Sequence, residues 1–176
     1  IPVFITLLFV GSDTSVVRRF TNLGDSSTSY RLGIWKGVLL MLADVFYFGI
    51  GIGEGAFADI YPFYALSGIE TAPHSHNLYL QVTVELGLFA FISFLIFIFI
   101  FAQCSLTFCK NAVSKVNKTL CLGILCGILA FLVQGLTDYV WYNYRLFLLF
   151  WMLAGLGVAH IFTAKSTVEE SSQFYY

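Results

Sequence analysis

The sequence predicts an all-α fold, a polytopic membrane helix bundle with a partly helical extracytoplasmic segment. Hydrophobic residues make up 59% of the 176 residues and charged residues only 11%, whereas a soluble domain carries about a quarter charged residues. Phenylalanine alone accounts for 19 positions. This composition predicts a multi-pass protein of the cell (plasma) membrane. No basic patch with interleaved aromatic residues is present, so we expect no nucleic-acid partner.

Three stretches are long and apolar enough to cross about 30 Å of hydrocarbon as helices. They cover residues 88–108, 119–137 and 146–163, and the first contains no charged residue. The second and third carry glycines whose spacing would let helices approach closely: Gly123, Gly127, Gly135, Gly155 and Gly157. We therefore predict that residues 88–163 form three transmembrane helices.

The loop between the first two stretches sets the predicted orientation. It reads KNAVSKVNK and carries three lysines and no acidic residue, and short lysine-rich loops stay in the cytoplasm. The next loop, DYVWYNYR, then lies outside and offers Trp141, Tyr142 and Tyr144 as interfacial anchors. By the same parity, the residues before 88 are extracytoplasmic, and residues 164–176 form a disordered cytoplasmic tail.

The N-terminal half is predicted to begin with the end of a truncated transmembrane helix, residues 1–10. The apolar start IPVFITLLFV is too short to span and lacks the basic flank of a signal peptide. The chain is therefore interpreted as the C-terminal part of a longer protein. Residues 11–87 form one extracytoplasmic segment, and a segment of that length is more often functional than idle.

Within that segment, residues 34–52 are apolar but interrupted by Lys36 and Asp44. The uncharged run after Asp44 is too short to span, so we predict an interfacial or re-entrant helix. The alternative is a crossing that would place Arg18 and Arg19 in the cytoplasm, which the positive-inside tendency also accepts.

The four cysteines, Cys104, Cys109, Cys121 and Cys126, fit neither a zinc ribbon nor a redox C-x-x-C motif. They lie near the predicted cytoplasmic side, where thiols stay reduced. We interpret them as small residues that pack between helices.

The stretch PHSHN, residues 73–77, precedes the first span and contains the strongest candidate for chemistry. Ser75 or Asn77 can cap the helix that follows, and His76 would sit in its first turn. Backbone N–H groups there favour a neutral imidazole, which can accept a proton from a hydroxyl. The alternative is that His74 and His76 only cap and solvate the helix. A metal site is disfavoured, because the sequence offers no convincing further ligands nearby.

The stretch SSTSYRLGIWKG, residues 26–37, is the second candidate. Ser29 can cap a helix on which Arg31 and Trp35 are neighbours at i and i+4. The planar guanidinium of Arg31 can bind phosphate through several donors. The alternative is an interfacial anchor, with arginine at lipid headgroups and tryptophan in the aromatic belt.

The glycine-rich stretch FGIGIGEGAFADIYPFY, residues 48–64, is the third candidate. It is not a phosphate-binding P-loop, because no lysine followed by serine or threonine comes after the glycines. A flexible turn at the membrane surface is favoured. Glu54, Asp59 and Tyr61 could still face a substrate.

In order and spacing, these pieces resemble the signature region of the O-antigen ligase and polymerase superfamily, which are bacterial integral membrane glycosyltransferases. The resemblance covers residues 26–160. The matching positions are Arg31, Trp35, the turn from Gly49 to Phe57, His76, Asn77, Leu80 and the stretch from Glu85 to Gly87.

The resemblance implies transfer of a glycan from an undecaprenyl-pyrophosphate carrier to an acceptor hydroxyl on the outer face, for surface polysaccharide biosynthesis in the cell envelope. The partners would be the lipid-linked oligosaccharide donor, membrane lipids and a glycan, lipid or protein acceptor, with no metal or other cofactor. By carry-over, Arg31 holds the pyrophosphate and His76 is the base. We expect the substrate-binding residues to be Asn77, Trp35, Glu54, Tyr61 and His74.

A different class, a transporter or flippase subunit without covalent chemistry, is the alternative. Transporters keep ionisable residues or broken helices at mid-membrane depth. The three predicted spans hold no ionisable side chain of this kind except His160 near a helix end, which speaks against that class.

Overall fold

The computed structural model describes the backbone of residues 26–53 and 55–173 and the side chains of residues 27–53 and 55–164. In this part of the chain all regular secondary structure is helical. The helices are α1 (Ser26–Val45), α2 (Ala56–Ile60), α3 (Leu78–Asn111), α4 (Lys115–Gln134) and α5 (Tyr144–Gln173), with 3₁₀ turns at Tyr61–Phe63 and Val140–Tyr142. The predicted residues 1–10 helix and Glu54 lie outside the described residues.

Three helices, α3, α4 and the first part of α5 (Tyr144–Ala164), are long and apolar enough to cross a membrane. The prediction of an all-α membrane bundle is therefore confirmed. Helix α1 is not among the three, so whether residues 34–52 lie at the interface or re-enter the membrane stays a prediction. The backbone is helical to Gln173, so the predicted disordered tail is wrong in this respect: good helix formers such as Ala, Lys and Glu continue α5 beyond its apolar part.

The three long helices share one apolar core. Its fully or nearly buried side chains come from each helix in turn: Phe94 and Phe101 from α3, Ile128 and Leu132 from α4, and Phe150 and Ala154 from α5. Two of the glycines expected at close helix contacts do fill that role. A Cβ on Gly157 would lie 2.8 Å from the Phe101 ring, and one on Gly135 2.9 Å from Leu78. In the part of the chain that the structure describes, nothing lies within 4 Å of a Cβ added to Gly123 or Gly155, so for these two glycines the expectation is wrong.

Helix α1 forms a second layer with residues 55–77, here called the α1 layer. Ile34, Val38 and Met41 are fully buried, and their spacing of four and three residues puts them on one face of the helix. They pack with Phe57 and Tyr61. Because α1 already begins at Ser26, Ser29 lies inside the first turn and is not its cap, so this expectation is wrong.

The α1 layer is joined to α3 at a break in that helix. Gly87 adopts φ 79° and ψ 175°, which interrupts the helical hydrogen bonds near the predicted start of the span. Residues 46–51 supply the missing partners. Ile50 N donates to Val84 O at 2.8 Å, Gly51 N to Glu85 O at 2.9 Å, and Leu88 N to Phe46 O at 2.8 Å.

Trp141 was expected to anchor at the membrane interface, but it packs into the bundle. Its ring centroid lies 5.3 Å from those of Phe94 and Phe150 and 5.9 Å from that of Trp151. The 3₁₀ turn Val140–Tyr142 directs this side chain inward, so the anchor prediction is wrong for Trp141. Tyr142 and Tyr144 remain exposed.

Candidate active site

The loop before α3 holds His76 in a backbone conformation that non-glycine residues rarely adopt. His76 has φ 52°, in the left-handed region, where such residues collect at functional sites. The neighbouring residues fix it there. Asn77 Oδ1 accepts from Tyr79 N at 2.9 Å and Leu80 N at 3.0 Å, and Ser75 Oγ donates to Asn77 O at 2.8 Å.

The expected cap at Asn77 is thus present, and α3 begins at Leu78. His76 precedes the cap and does not lie in the first helical turn as predicted, because the cap residue itself stands between it and the helix. Its imidazole points away from the helix towards the loop that follows α4.

Asp138 is the partner of His76. His76 Nδ1 lies 3.2 Å from Asp138 Oδ1, and the two side chains are 22% and 41% exposed. The same carboxylate oxygen accepts from Tyr139 N at 2.9 Å. Because a carboxylate can only accept, a neutral His76 must carry its proton on Nδ1 in this contact, which leaves the Nε2 lone pair free. This is the arrangement of a general base with an orienting acid.

Packing between helix ends brings this pair together. Leu78 N donates to Gly135 O at 2.8 Å, and Asn77 Nδ2 donates to Leu136 O at 2.9 Å. The start of α3 is therefore bound to the end of α4, directly before Asp138. The close approach requires the glycine at 135, since a Cβ there would press on Leu78.

Helix α1 places its predicted residues on the other side of the same loop. Trp35 Nε1 donates to Ser75 O at 2.9 Å, and the Tyr30 hydroxyl donates to Thr71 O. Arg31, one turn before Trp35, is close enough for its charge to act on His74. Helix α1, which carries Arg31, thus packs against the loop that holds the histidines.

His74 is buried behind His76. Its ring centroid lies 4.2 Å from that of His76 and 4.6 Å from that of Tyr142. Burial above all, and then His76 and Arg31, lowers the pKa of His74 to about 4, although Asp138 acts in the opposite direction. His74 is therefore neutral at physiological pH.

His74, His76 and Asp138 could in principle hold a metal ion, since one ligand atom from each lies within 4.8 Å of the others. The hydrogen bonds argue against this use. His76 N donates to His74 Nδ1 at 3.2 Å, so the proton of the neutral ring sits on Nε2. Binding a metal through either nitrogen would cost this bond.

The family comparison agrees with the geometry. The model of the O-antigen ligase family matches residues 1–95, more than half of the chain. The chain belongs to the O-antigen ligase family. Neither the comparison with curated proteins nor that with solved structures found a match. Asp138 lies beyond the matched region.

As a member of this family, the chain is a membrane glycosyltransferase of the O-antigen ligase or polymerase type. Of the residues predicted for its site, His76, His74, Asn77 and Trp35 come together at the loop before α3, and Arg31 lies on the helix that packs against this loop. The nitrogen and the oxygen of the Asn77 side-chain amide both form hydrogen bonds within the protein, and so does the indole N–H of Trp35. Their roles in substrate binding stay predictions.

Tyr61 does not join this group. It is fully buried in the α1 layer, and among the described residues its hydroxyl has no hydrogen-bond partner. Burial raises the pKa of Tyr61, so the phenol stays protonated. Contact between Tyr61 and a substrate therefore stays a prediction that this packing does not favour. Asp59 is exposed.

Sequence reasoning about the O-antigen ligase motif missed Asp138 and Tyr142. Both were placed in a loop interpreted only as a membrane anchor. The one available signal was the acidic residue in GLTDYVWYNYR, the only carboxylate between the second and third predicted spans. On the same predicted side as PHSHN, it is the natural partner for a histidine.

Proposed function

We propose that this chain moves a glycan from an undecaprenyl-pyrophosphate carrier to an acceptor hydroxyl on the outer face of the membrane, without a metal ion. The observation that carries the proposal is the His76–Asp138 pair, 3.2 Å apart, in a loop that also packs against the arginine-bearing helix α1. A base on this loop and a cation on the helix packed against it are the two groups that this displacement requires.

The reaction is a displacement at the anomeric carbon of the donor sugar. The acceptor oxygen forms a bond to that carbon while the bond from the carbon to the pyrophosphate oxygen breaks, and its electron pair stays on the pyrophosphate. His76 Nε2 takes the proton of the acceptor hydroxyl. Asp138 holds the ring through Nδ1 and stabilises the imidazolium that forms.

Arg31 supplies the positive charge for the leaving pyrophosphate. A guanidinium keeps its charge in a low-dielectric setting and presents several donors in one plane, so it can stabilise the developing charge where no magnesium ion is bound. The charge of Arg31 acts on His74, in the same loop as His76.

The predicted orientation puts this chemistry on the extracytoplasmic side. The lysine-rich loop between α3 and α4 is expected in the cytoplasm, and the His76 loop lies at the opposite end of α3. The same chemistry serves a ligase and a polymerase, which differ in the acceptor: a glycan, a lipid or a protein.

Glycan transfer by the full-length protein tests the proposal. Membranes containing the parent, His76→Ala or Arg31→Ala would be supplied with lipid-pyrophosphate-linked glycan, with EDTA and without. We expect each variant to lose about 10²-fold or more of the rate and EDTA to change nothing.

Two variants serve as matched controls. His160→Ala removes a histidine at the other end of the bundle, where it contacts Asn117 O, and Arg145→Ala removes an exposed arginine. Both should transfer at the parental rate. Normal transfer by His76→Ala at equal protein levels would refute the assigned base, and inhibition by EDTA would refute metal independence.

A further inference from the structure

A buried amide connects the His76 loop to the body of α3. Gln81 is 1% exposed. Its Oε1 accepts from Ser75 N at 2.7 Å and its Nε2 donates to Glu85 Oε1 at 2.8 Å. A backbone N–H can only donate and a carboxylate can only accept, so these partners fix the orientation of the amide.

Glu85 continues this chain of hydrogen bonds to the other side of the site. The side chain of Tyr139 also lies close enough to this carboxylate for Glu85 to act on the pKa of its phenol. Burial first, and then Glu85, raises the pKa of Tyr139 above its usual range, so the phenol remains protonated and donates. Tyr139 N in turn donates to Asp138 Oδ1, the oxygen that faces His76.

Glu85 therefore reaches His76 by two routes. One runs through Gln81 to the backbone of Ser75, and the other through Tyr139 to the carboxylate that orients the imidazole. The backbone of Glu85 is held at the break of α3, where its carbonyl oxygen accepts from Gly51 N. The half-buried Glu85 carboxylate is thus hydrogen-bonded to Gln81 and electrostatically coupled to Tyr139, and both residues lead to the same histidine.

We propose that Glu85 is a positioning residue, which orients the His76–Asp138 pair through Gln81 and Tyr139 without touching donor or acceptor. This inference rests on the proposed function, since it assigns the pair its role in transfer. Networks of this kind hold a base in its reactive geometry, and small displacements of that geometry are costly to the rate.

The proposal predicts which kinetic constant changes. Glu85→Ala should lower kcat about 10- to 100-fold and leave KM for the lipid-linked donor within about threefold, because donor binding is unaffected. Glu85→Gln should restore most of kcat, since an amide oxygen still accepts from Gln81 Nε2. Tyr139→Phe, which removes one route, should lower kcat less than Glu85→Ala.

A double variant separates positioning from independent effects. If Glu85 acts through Tyr139, then Tyr139→Phe should cost little in the Glu85→Ala background. Thr83→Val is the matched control: Thr83 is buried on the same helix between Gln81 and Glu85, and its hydroxyl donates only to Tyr79 O of its own helix. It should retain the parental kcat.

A readout that does not depend on turnover is the rate at which diethyl pyrocarbonate modifies His76, followed by mass spectrometry on the full-length protein in membranes. The rate should change at least threefold in Glu85→Ala, because the imidazole loses its fixed orientation, and stay unchanged in Thr83→Val. An unchanged rate, an additive double variant, or a higher donor KM at parental kcat would each overturn the proposal.

The two proposals fail in different ways. If His76→Ala still transfers glycan, the proposed function of the base is refuted, and the modification rate alone decides whether Glu85 orients the ring. If His76→Ala is inactive but Glu85→Ala keeps the parental kcat, the base stands and the positioning role is refuted.

Discussion

The two ends of α3 bury polar groups in different ways. At the N-terminal end, four buried polar residues, His74, Ser75, Gln81 and Thr83, lie within ten positions, and the bonds of the last three measure 2.7–2.8 Å. At the C-terminal end, Cys121 Sγ reaches Ser105 O at 3.6 Å and Cys109 Sγ reaches Lys118 O at 3.8 Å.

The difference indicates what each end is for. Buried polar groups cost free energy unless their hydrogen bonds are satisfied, so a dense, well-bonded cluster is retained where geometry matters. Thiols behave as small apolar groups with weak donors, and their contacts at the other end amount to packing. Substitutions of the groups that are hydrogen-bonded to the His76 loop should therefore affect activity at the first end, whereas substitutions at the second end should affect only stability.

The largest effect is expected from Asp138→Asn. An amide can turn its N–H₂ towards His76 Nδ1, which favours the tautomer with the proton on Nε2, and this tautomer cannot accept the proton of the acceptor hydroxyl. We expect glycan transfer to fall about 10²- to 10³-fold at unchanged protein levels. The control is Asp44→Asn, which alters a carboxylate that accepts a hydrogen bond from the Tyr64 hydroxyl and should leave transfer unchanged. If Asp138→Asn transferred glycan at a rate within threefold of the parent, the comparison between the two ends of α3 would be contradicted.

Gly87→Ala should come next, through stability. Gly87 has φ 79°, and a Cβ there would overlap the Tyr47 carbonyl, so the contact between α1 layer and α3 must open. We expect a loss of about 2 kcal/mol or more in free energy of unfolding, measured as a lower midpoint of thermal unfolding. The control is Gly123→Ala, whose added Cβ meets no described atom within 4 Å, so it should be neutral or stabilising by up to about 1 kcal/mol. If both variants lost the same free energy of unfolding, the structural role of the break at Gly87 would be refuted.

A smaller effect should appear as a pH dependence of stability. The pKa of His74 is about 4 when folded, against 6.5 as its ordinary value. Between these values the unfolded chain binds the proton and the folded chain does not, so stability falls as pH drops from about 6.5 towards 4. The midpoint of thermal unfolding of the parent should fall more steeply in this pH range than that of His74→Gln. If both midpoints fell equally, burial of His74 would not contribute to the pH dependence of stability.

The smallest effect is expected at the other end of α3. Cys121→Ala removes a buried thiol with one weak contact, so it should cost about 1 kcal/mol and leave glycan transfer within twofold of the parent. The exposed Cys126→Ala should change neither. A large loss of transfer in Cys121→Ala would break the comparison.

The helices could be predicted from the sequence because apolar length alone decides them in a membrane. His76, Arg31 and the cap at Asn77 also follow from local patterns, since a cap and an i, i+4 pair are set within a few residues. Asp138 does not, because it lies 62 residues from His76 along the chain. Their contact depends on how closely α3 and α4 meet at Gly135.

The burial of individual side chains is the other property that local sequence patterns do not predict. Tyr61 follows a glycine-rich stretch and was expected to face a substrate, yet the face of α1 formed by Ile34, Val38 and Met41 covers it. Trp141 was placed at the interface by its type, but its neighbours in space are rings from α3 and α5. Such positions are decided by tertiary packing.

The break at Gly87 has a consequence for motion within the protein. Three peptide groups of α3 that a continuous helix would pair internally are instead paired with residues 46–51. Beside lipid each of these groups would cost several kcal/mol if left unpaired. We therefore expect residues 46–51 to keep the α1 layer attached to α3. We therefore expect helix α1, which carries Arg31, and helix α3, which His76 precedes, to move together.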